Sequence, residues 1–316
     1  MLNRCRFVLI VAVLLLMVLP MSLFAQDTET DAGMDRDAMI AVWERFDKEL
    51  WQGWNYDIVD EVLADDFTMY SWGYPPQNRE DYVQYWIMGS NSWAPAYTMD
   101  HHILLVDGDY LVVDDNWGGV FENEFNGQPP TGEMVRVNGV EIFHFADDKI
   151  TEAWVLYDAT PFMLQMGFMP TEDEVLPDIP WDIALGETST SPEENKVMVA
   201  GLVDKINAHD VPGYFAGFAE DAVIHDMDAD LTVDEAVDMM IDIQTNFPDH
   251  QATDITYFAE GDLVVYMFTL TFIEDQIVIG GLNVDRIEDG KIVEEWWLYD
   301  AFGMSQQMAA MEDAES

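Results

Sequence analysis

The stretch KITEAWVLYD at 149–158 returns as KIVEEWWLYD at 291–300, so whatever this chain folds into must contain one structural unit twice. The match extends on both sides. GVEIFHFADDKITEAWVLYDATPFMLQMG (139–167) aligns without a gap to GLNVDRIEDGKIVEEWWLYDAFGMSQQMA (281–309), and WQGWNYDIVDEVLADDFTMY (51–70) aligns to INAHDVPGYFAGFAEDAVIH (206–225). The second copy is shorter between these blocks. Most of the loss follows the Gly108-Asp109 and Gly261-Asp262 turns, where the first copy has GVFENEFNGQPPTGEM. A repeat this long marks duplicated domains rather than a solenoid, and 316 residues suit two domains better than one.

Each copy opens with helical spacing, carried by Ile40, Trp43, Phe46 and Leu50 in the first and by Val197, Val199, Leu202 and Ile206 in the second. A short second helix (57–64; 212–219), a strand (67–71; 222–226) and a third helix (79–89; 233–244) follow. Alternating runs such as YLVVDDNW, VRVNGVEIFHF and LVVYMFTLTF come next and read as antiparallel strands. Helices segregated from strands indicate an α+β class. The expected domains are 37–170 and 193–316, joined by the Pro- and acid-rich linker 171–192.

In the terminal hairpin, Ala146-Asp147-Asp148 and Glu288-Asp289-Gly290 read as three-residue loops. That register puts even-numbered positions on one face: Ile142, His144, Glu152, Trp154 and Asp158, and in the second copy Val284, Arg286, Glu294, Trp296, Leu298 and Asp300. The other face carries Ala153, Val155 and Tyr157, or Glu295, Trp297 and Tyr299. Both faces are largely apolar, so both need covering. The even face, nearly the same in both copies, is the expected pocket, with Trp154, Trp296 and Tyr70 in its walls. The odd face is then the expected seam of an internal pseudo-dimer. The same register sets Arg136 opposite Asp158 and Val278 opposite Asp300. His101 and His102 point to opposite faces of one strand, a poor metal site. No Gly-rich phosphate loop or zinc-type cluster occurs.

INAHDVPGYFAGFAEDAVIHD, NFPDHQ (246–251) and EDGKIVEEWWLYDAFGMSQQMA resemble the SnoaL-like polyketide cyclase (ester cyclase) family of the nuclear-transport-factor-2-like superfamily. The first copy is similar to it through ELWQGWNYDIVDEVLADDF, GQPPTGEMVRVNGVEIFHFADDKI and WVLYDATPFMLQMG. The resemblance implies two cone-shaped domains, each a bent antiparallel sheet wrapped around about three helices. It also implies a pocket for a small apolar carbonyl compound and an aspartate that moves a proton in ring closure without a cofactor. Asp158 and Asp300 stand at the position matched to that aspartate. The family's histidine at the end of the first strand is present as His225, where the first copy has Tyr70. His144 shares the face of Asp158 but lies ~26 Å away at ~3.3 Å per residue along a straight strand, so its participation needs a strong bend. The alternative is a protein that keeps the cone for ligand binding or self-association and has lost the chemistry.

The 62 Asp and Glu against 12 Lys and Arg give a formal charge of −50, which repels nucleic acid and anionic lipid. MLNRCR followed by FVLIVAVLLLMVLPMSLFA reads as a signal peptide ending at Ala25, with an acidic leader segment at 26–36. An exported protein with no membrane contact after cleavage is expected; an uncleaved anchor is the alternative. Cys5 lies inside the leader, so the mature chain has no disulfide and no thiol nucleophile. The small-molecule ligand is the expected partner, and further homo-oligomerisation is left open. Expression in a secreting host should yield a chain whose first residue is Gln26 by intact mass. Full-length chain in the membrane fraction would establish the anchor instead.

Overall fold

The computed structural model describes residues 34–157, 159–169, 183–226 and 229–315. The leader, most of the linker and Asp158 lie outside the described residues. The first copy runs α1 (Arg36–Arg45), α2 (Val59–Val62), β1 (Leu63–Ser71), β2 (Gln77–Asn78), α3 (Arg79–Tyr82), α4 (Met88–Trp93), β3 (Tyr97–Asp107), β4 (Tyr110–Val120), β5 (Met134–Ala146), β6 (Lys149–Tyr157) and α5 (Ala159–Gln165). The second runs α6 (Pro192–Asn207), α7 (Val211–Phe215), β7 (Phe218–His225), β8 (Asp230–Thr232), α8 (Val233–Asn246), β9 (Gln251–Glu260), β10 (Leu263–Phe272), β11 (Ile277–Glu288), β12 (Lys291–Tyr299) and α9 (Ala301–Glu315). The sheets have the same order, β2-β1-β6-β5-β4-β3 and β8-β7-β12-β11-β10-β9. The tandem α+β architecture is as the repeat requires.

Local chemistry starts the elements where they start. Ser191 and Glu194 form a capping box at α6, with Pro192 in its first turn, and Thr232 and Glu235 form another at α8. The terminal hairpins turn through two residues, not three. Ala146 pairs with Lys149 and Glu288 with Lys291, while Asp147, Asp148, Asp289 and Gly290 all have positive φ. This is the tight turn whose twist matches that of the strands, and it follows from two turn residues able to adopt the left-handed region. A bulge follows at once, so Ile142 faces Trp154 and Val284 faces Trp296. Even positions still share a face, but the register is displaced by two. Val278 is not opposite Asp300: Asp300 N donates to Gly280 O at 3.1 Å, and the backbone of Val278 is held by the Gln307 side chain. Gln165 does the same for Arg136 in the first copy.

The two sheets pack on one another through the face expected to line the pockets. Val112, Val140, Ile142, Trp154 and Leu156 of one copy form a continuous core with Val265, Met267, Leu282, Val284, Trp296 and Leu298 of the other. The odd face turns inward instead. Phe143, Phe145, Ala153 and Val155 meet Trp43, Phe46, Leu50 and Trp51 in the first copy, and Trp297 packs against the corresponding helical core of the second. The correction has a physical reason. A contact between two copies related by an approximate two-fold presents the same patch from each side, so likeness between the copies is a demand of the seam. The interiors are under no such demand.

Polar exchange at the edge strands follows the same symmetry. Glu260 accepts Val106 N at 2.7 Å and pairs with Arg36, while Asp107 accepts Ala259 N at 3.0 Å and pairs with Lys196 at 2.9 Å. Each sheet thereby covers exposed edge donors of the other. At the seam Trp72 lies over Gly280, where a Cβ would sit 2.0 Å from the indole.

Truncation of the seam is expected to unfold both domains together. Trp296→Ala should cost about 3–5 kcal/mol in denaturant unfolding, the range for removing a buried large aromatic. A single cooperative transition is expected for the wild type, measured by circular dichroism.

Candidate functional site

The residues singled out from the sequence fall mostly on the seam. Tyr70 stacks on Trp154 with centroids 5.4 Å apart, and His225, at the matched position of the repeat, stacks on Trp296 at 5.0 Å. Tyr70 Oη donates to Glu152 Oε1 at 3.4 Å. The His225 ring contacts Asp230 at 2.7 Å and Glu294 at 3.0 Å. Glu294 also pairs with Arg286, whose guanidinium lies 5.6 Å over Trp296. His144 stacks on Tyr110 and contacts Thr151 and Glu152.

Asp300 caps α9 through Gly303 N at 2.8 Å and lies beside Gly73, with Tyr74 and Tyr157 in its field. His225 is bound at the level of Trp296, four residues before Asp300, and its ring turns to Glu294 and Asp230. Asp158 lies outside the described residues. Trp154 and Trp296 are walls of the interdomain core, not of a helix-side pocket.

The helix-side interior of the first copy holds a cluster of ionisable groups around His101. His101 Nε2 contacts Asp115 Oδ1 at 2.6 Å, and its Nδ1 lies 3.2 Å from Asp47 Oδ1. Asp47 belongs to a π-helical stretch, Phe46–Trp51, that continues α1; such widened turns are frequent at functional sites. Gln52 Nε2 donates to the same Asp47 oxygen at 2.9 Å. Neither contact uses Oδ2, which has no donor among the described residues. Trp43 covers the imidazole at 5.5 Å.

Burial alone would lower the His101 pKa. The charge of Asp115 and the contacts to Asp115 and Asp47 overcome it and push the value up to about 11. Glu141 is buried, and its Oε2 has no hydrogen-bond partner among the described residues. Burial, and then the charge of Asp115, raise its pKa well above the carboxyl range and favour the protonated form. A cleft of about 460 Å³ opens at this cluster, lined by Trp43, Glu44, Asp47, Lys48, His101, His102 and Ile103 together with Ile183, Ala184 and Leu185.

The second copy has different chemistry in its interior. Asp285 and Glu295 face one another across β11 and β12, both fully buried. Glu295 Oε1 accepts from Tyr214 at 2.6 Å, Asn283 at 3.0 Å and Tyr266 at 3.4 Å. Burial, then the charge of Glu295, raises the pKa of Asp285; burial also raises that of Glu295, against its donors. In the repeat alignment these two carboxyls occupy the positions of Phe143 and Ala153, and Glu141 becomes Asn283. Asp115 becomes Phe268: the two lie opposite Gly139 and Gly281, which are matched in the repeat.

A signal for these residues is present in the sequence. Asp115 follows Leu111 and Val113 in the buried phase of β4, and Glu141 precedes Phe143 in that of β5. A carboxyl in the apolar phase of an alternating strand is buried with the core.

Two cones of bent sheet and helices, paired back to back and each holding ionisable groups inside, define the class. The chain belongs to the SnoaL-like polyketide cyclase family, whose sequence profile matches residues 41–166 and 196–308. Among solved structures it is similar to AclR, a hydroxylase candidate from Streptomyces galilaeus, at 20% identity over 43% of this chain and 100% of that one, with a TM-score of 0.40. A SnoaL-like polyketide cyclase candidate from Jannaschia sp. CCS1 has 23% identity over 44% and 100%, TM-score 0.39. A polyketide cyclase candidate from Acidithiobacillus ferrooxidans has 20% over 43% and 100%, also 0.39. Among curated proteins no match is found.

The raised His101 pKa fixes a pH dependence. Its folded value of about 11 exceeds the ordinary 6.5, so the folded state holds the proton more tightly. The stabilisation is therefore complete below about pH 6.5 and is lost as pH rises toward 11. Thermal melts from pH 6.5 to 10.5 should show a falling Tm in the wild type and a shallower fall in His101→Gln.

Proposed function

We propose that the first domain binds a small, flat, apolar molecule bearing a carbonyl group in the cleft at His101 and moves a proton beside that carbonyl without a cofactor. In this reading Asp47, which lines the cleft and whose Oδ2 has no donor among the described residues, is the base. His101 is held as an imidazolium between Asp47 and Asp115, where it orients Asp47 and stabilises its charge before proton transfer. Glu141, favoured in its protonated form, supplies a further proton store behind the pair. Trp43 and Ile103 are apolar walls. The observation that carries the reading is the buried side chain of His101 clamped between two carboxylates at a cleft, in a chain whose family is that of polyketide cyclases. Export through the leader at 1–25 is part of the same proposal and places the ligand outside the cytoplasm.

A second reading, ligand binding without chemistry, is favoured by one observation. Large side chains of the first domain, among them Trp51, Tyr82, Trp93 and Phe121, pack its interior, and the carboxyl pair of the second is fully buried.

The two are separated by exchange of the α-hydrogens of 1-tetralone into deuterated buffer, followed by proton NMR. The wild type is expected to accelerate exchange, and Asp47→Asn to reduce the acceleration by roughly 100-fold, a usual worth of a positioned base. Binding of tetralone with no acceleration would leave the non-catalytic reading.

A further inference from the structure

The cleft at His101 is not built by the first domain alone. Ile183, Ala184 and Leu185, the chain leading into α6, form part of its lining, and this segment is fastened to the second domain. Ala184 O accepts Arg286 Nη1 at 2.9 Å. Gly186 N donates to Asp262 Oδ1 at 2.6 Å, and Gly186 O accepts Asp262 N at 3.3 Å. Arg286 and Asp262 are themselves paired at 2.7 Å. The fit leaves no room for a side chain at position 186, since a Cβ there would lie 2.5 Å from Asp262 Oδ2. Ile183, just ahead, is buried in the interdomain core.

The first copy has the simpler half of this device. Met34 N donates to Asp109 Oδ1 at 3.0 Å, so the segment entering α1 is also tied to the aspartate of the Gly-Asp turn. The repeat alignment puts His144 where the second copy has Arg286, and the His144 ring turns to Thr151 and Glu152. Anchoring a domain entry therefore needs only the aspartate. The added guanidinium appears in the copy whose entry segment walls a cleft.

We infer that the second domain, through Arg286 and Asp262, sets the outer wall of the first domain's cleft and so selects the flat apolar ligands that the cleft admits, an inference that rests on the ligand site proposed above. Arg286 and Asp262 are positioning residues acting through the backbone of Ala184 and Gly186. Asp262 is buried and Arg286 half-buried, so the clasp is worth more than an exposed ion pair of the same length, because removing one partner leaves the other charge unpaired.

The single cysteine of the chain, in the leader, makes a direct test convenient. Cys5→Ser combined with Ile103→Cys places one reporter thiol on the cleft wall, and its rate of reaction with fluorescein maleimide is measured in the full chain. Arg286→Met and Asp262→Asn are each expected to raise that rate about fivefold or more, as a locally opened wall exposes the thiol. A second reporter, Ser305→Cys in the Cys5→Ser chain, should react at the same rate with and without those substitutions. An unchanged rate at position 103 in both variants, or a rise matched at position 305, overturns the inference.

Binding of 9-fluorenone, followed by tryptophan quenching, separates this outcome from the fate of the proposed function. Binding lost in Trp43→Ala and kept in Arg286→Met overturns the wall while leaving the ligand cleft. Faster labelling without any fluorenone binding by the wild type upholds the wall and removes the proposed ligand class.

Discussion

The burial of one sheet against the other is the interaction on which the rest depends. Each terminal strand is apolar on both faces, and the helices of a cone cover only one. The remaining face, with Trp154 or Trp296 near its centre, would be left in water without the other copy. A duplicated chain meets that need internally. The reciprocal contacts of Glu260 with Val106 and of Asp107 with Ala259 extend the seam to the sheet edges, where unpaired donors would otherwise remain.

Once the outer faces are committed to each other, the two interiors are free to differ. The first combines an imidazolium, two carboxylates and a carboxyl favoured in its neutral form; the second sets two buried carboxyls side by side under tyrosine and asparagine donors. Neither arrangement is an economical way to stabilise a core, because the desolvation of charged groups opposes folding. The His101 cluster has a cleft beside it and the Asp285–Glu295 pair is fully enclosed, which is why the chemistry proposed for the chain is assigned to the first domain. The second domain enters that chemistry from outside, through the backbone it holds against the cleft.

What was legible in the sequence came from periodicity and self-likeness. The repeat of 149–158 at 291–300 determined that there are two domains with the same sheet order. Alternation determined which residues share a face, because that survives a register displaced by two. That Tyr70 and His225 occupy matched positions was legible; that each stacks on a tryptophan of the seam was not. Alternation does not say which face meets the helices, and that choice decided the site. Trp154 and Trp296 went to the seam because a two-fold contact keeps its patch alike on both sides. Asp115, Glu141 and His101, which differ in kind from the residues at their matched positions, went to the interior. The pairing of Asp47 with His101 was decided by the tertiary structure alone. It joins a helix to an edge strand far along the chain, and a local pattern carries no record of the distance between two groups that only packing brings together.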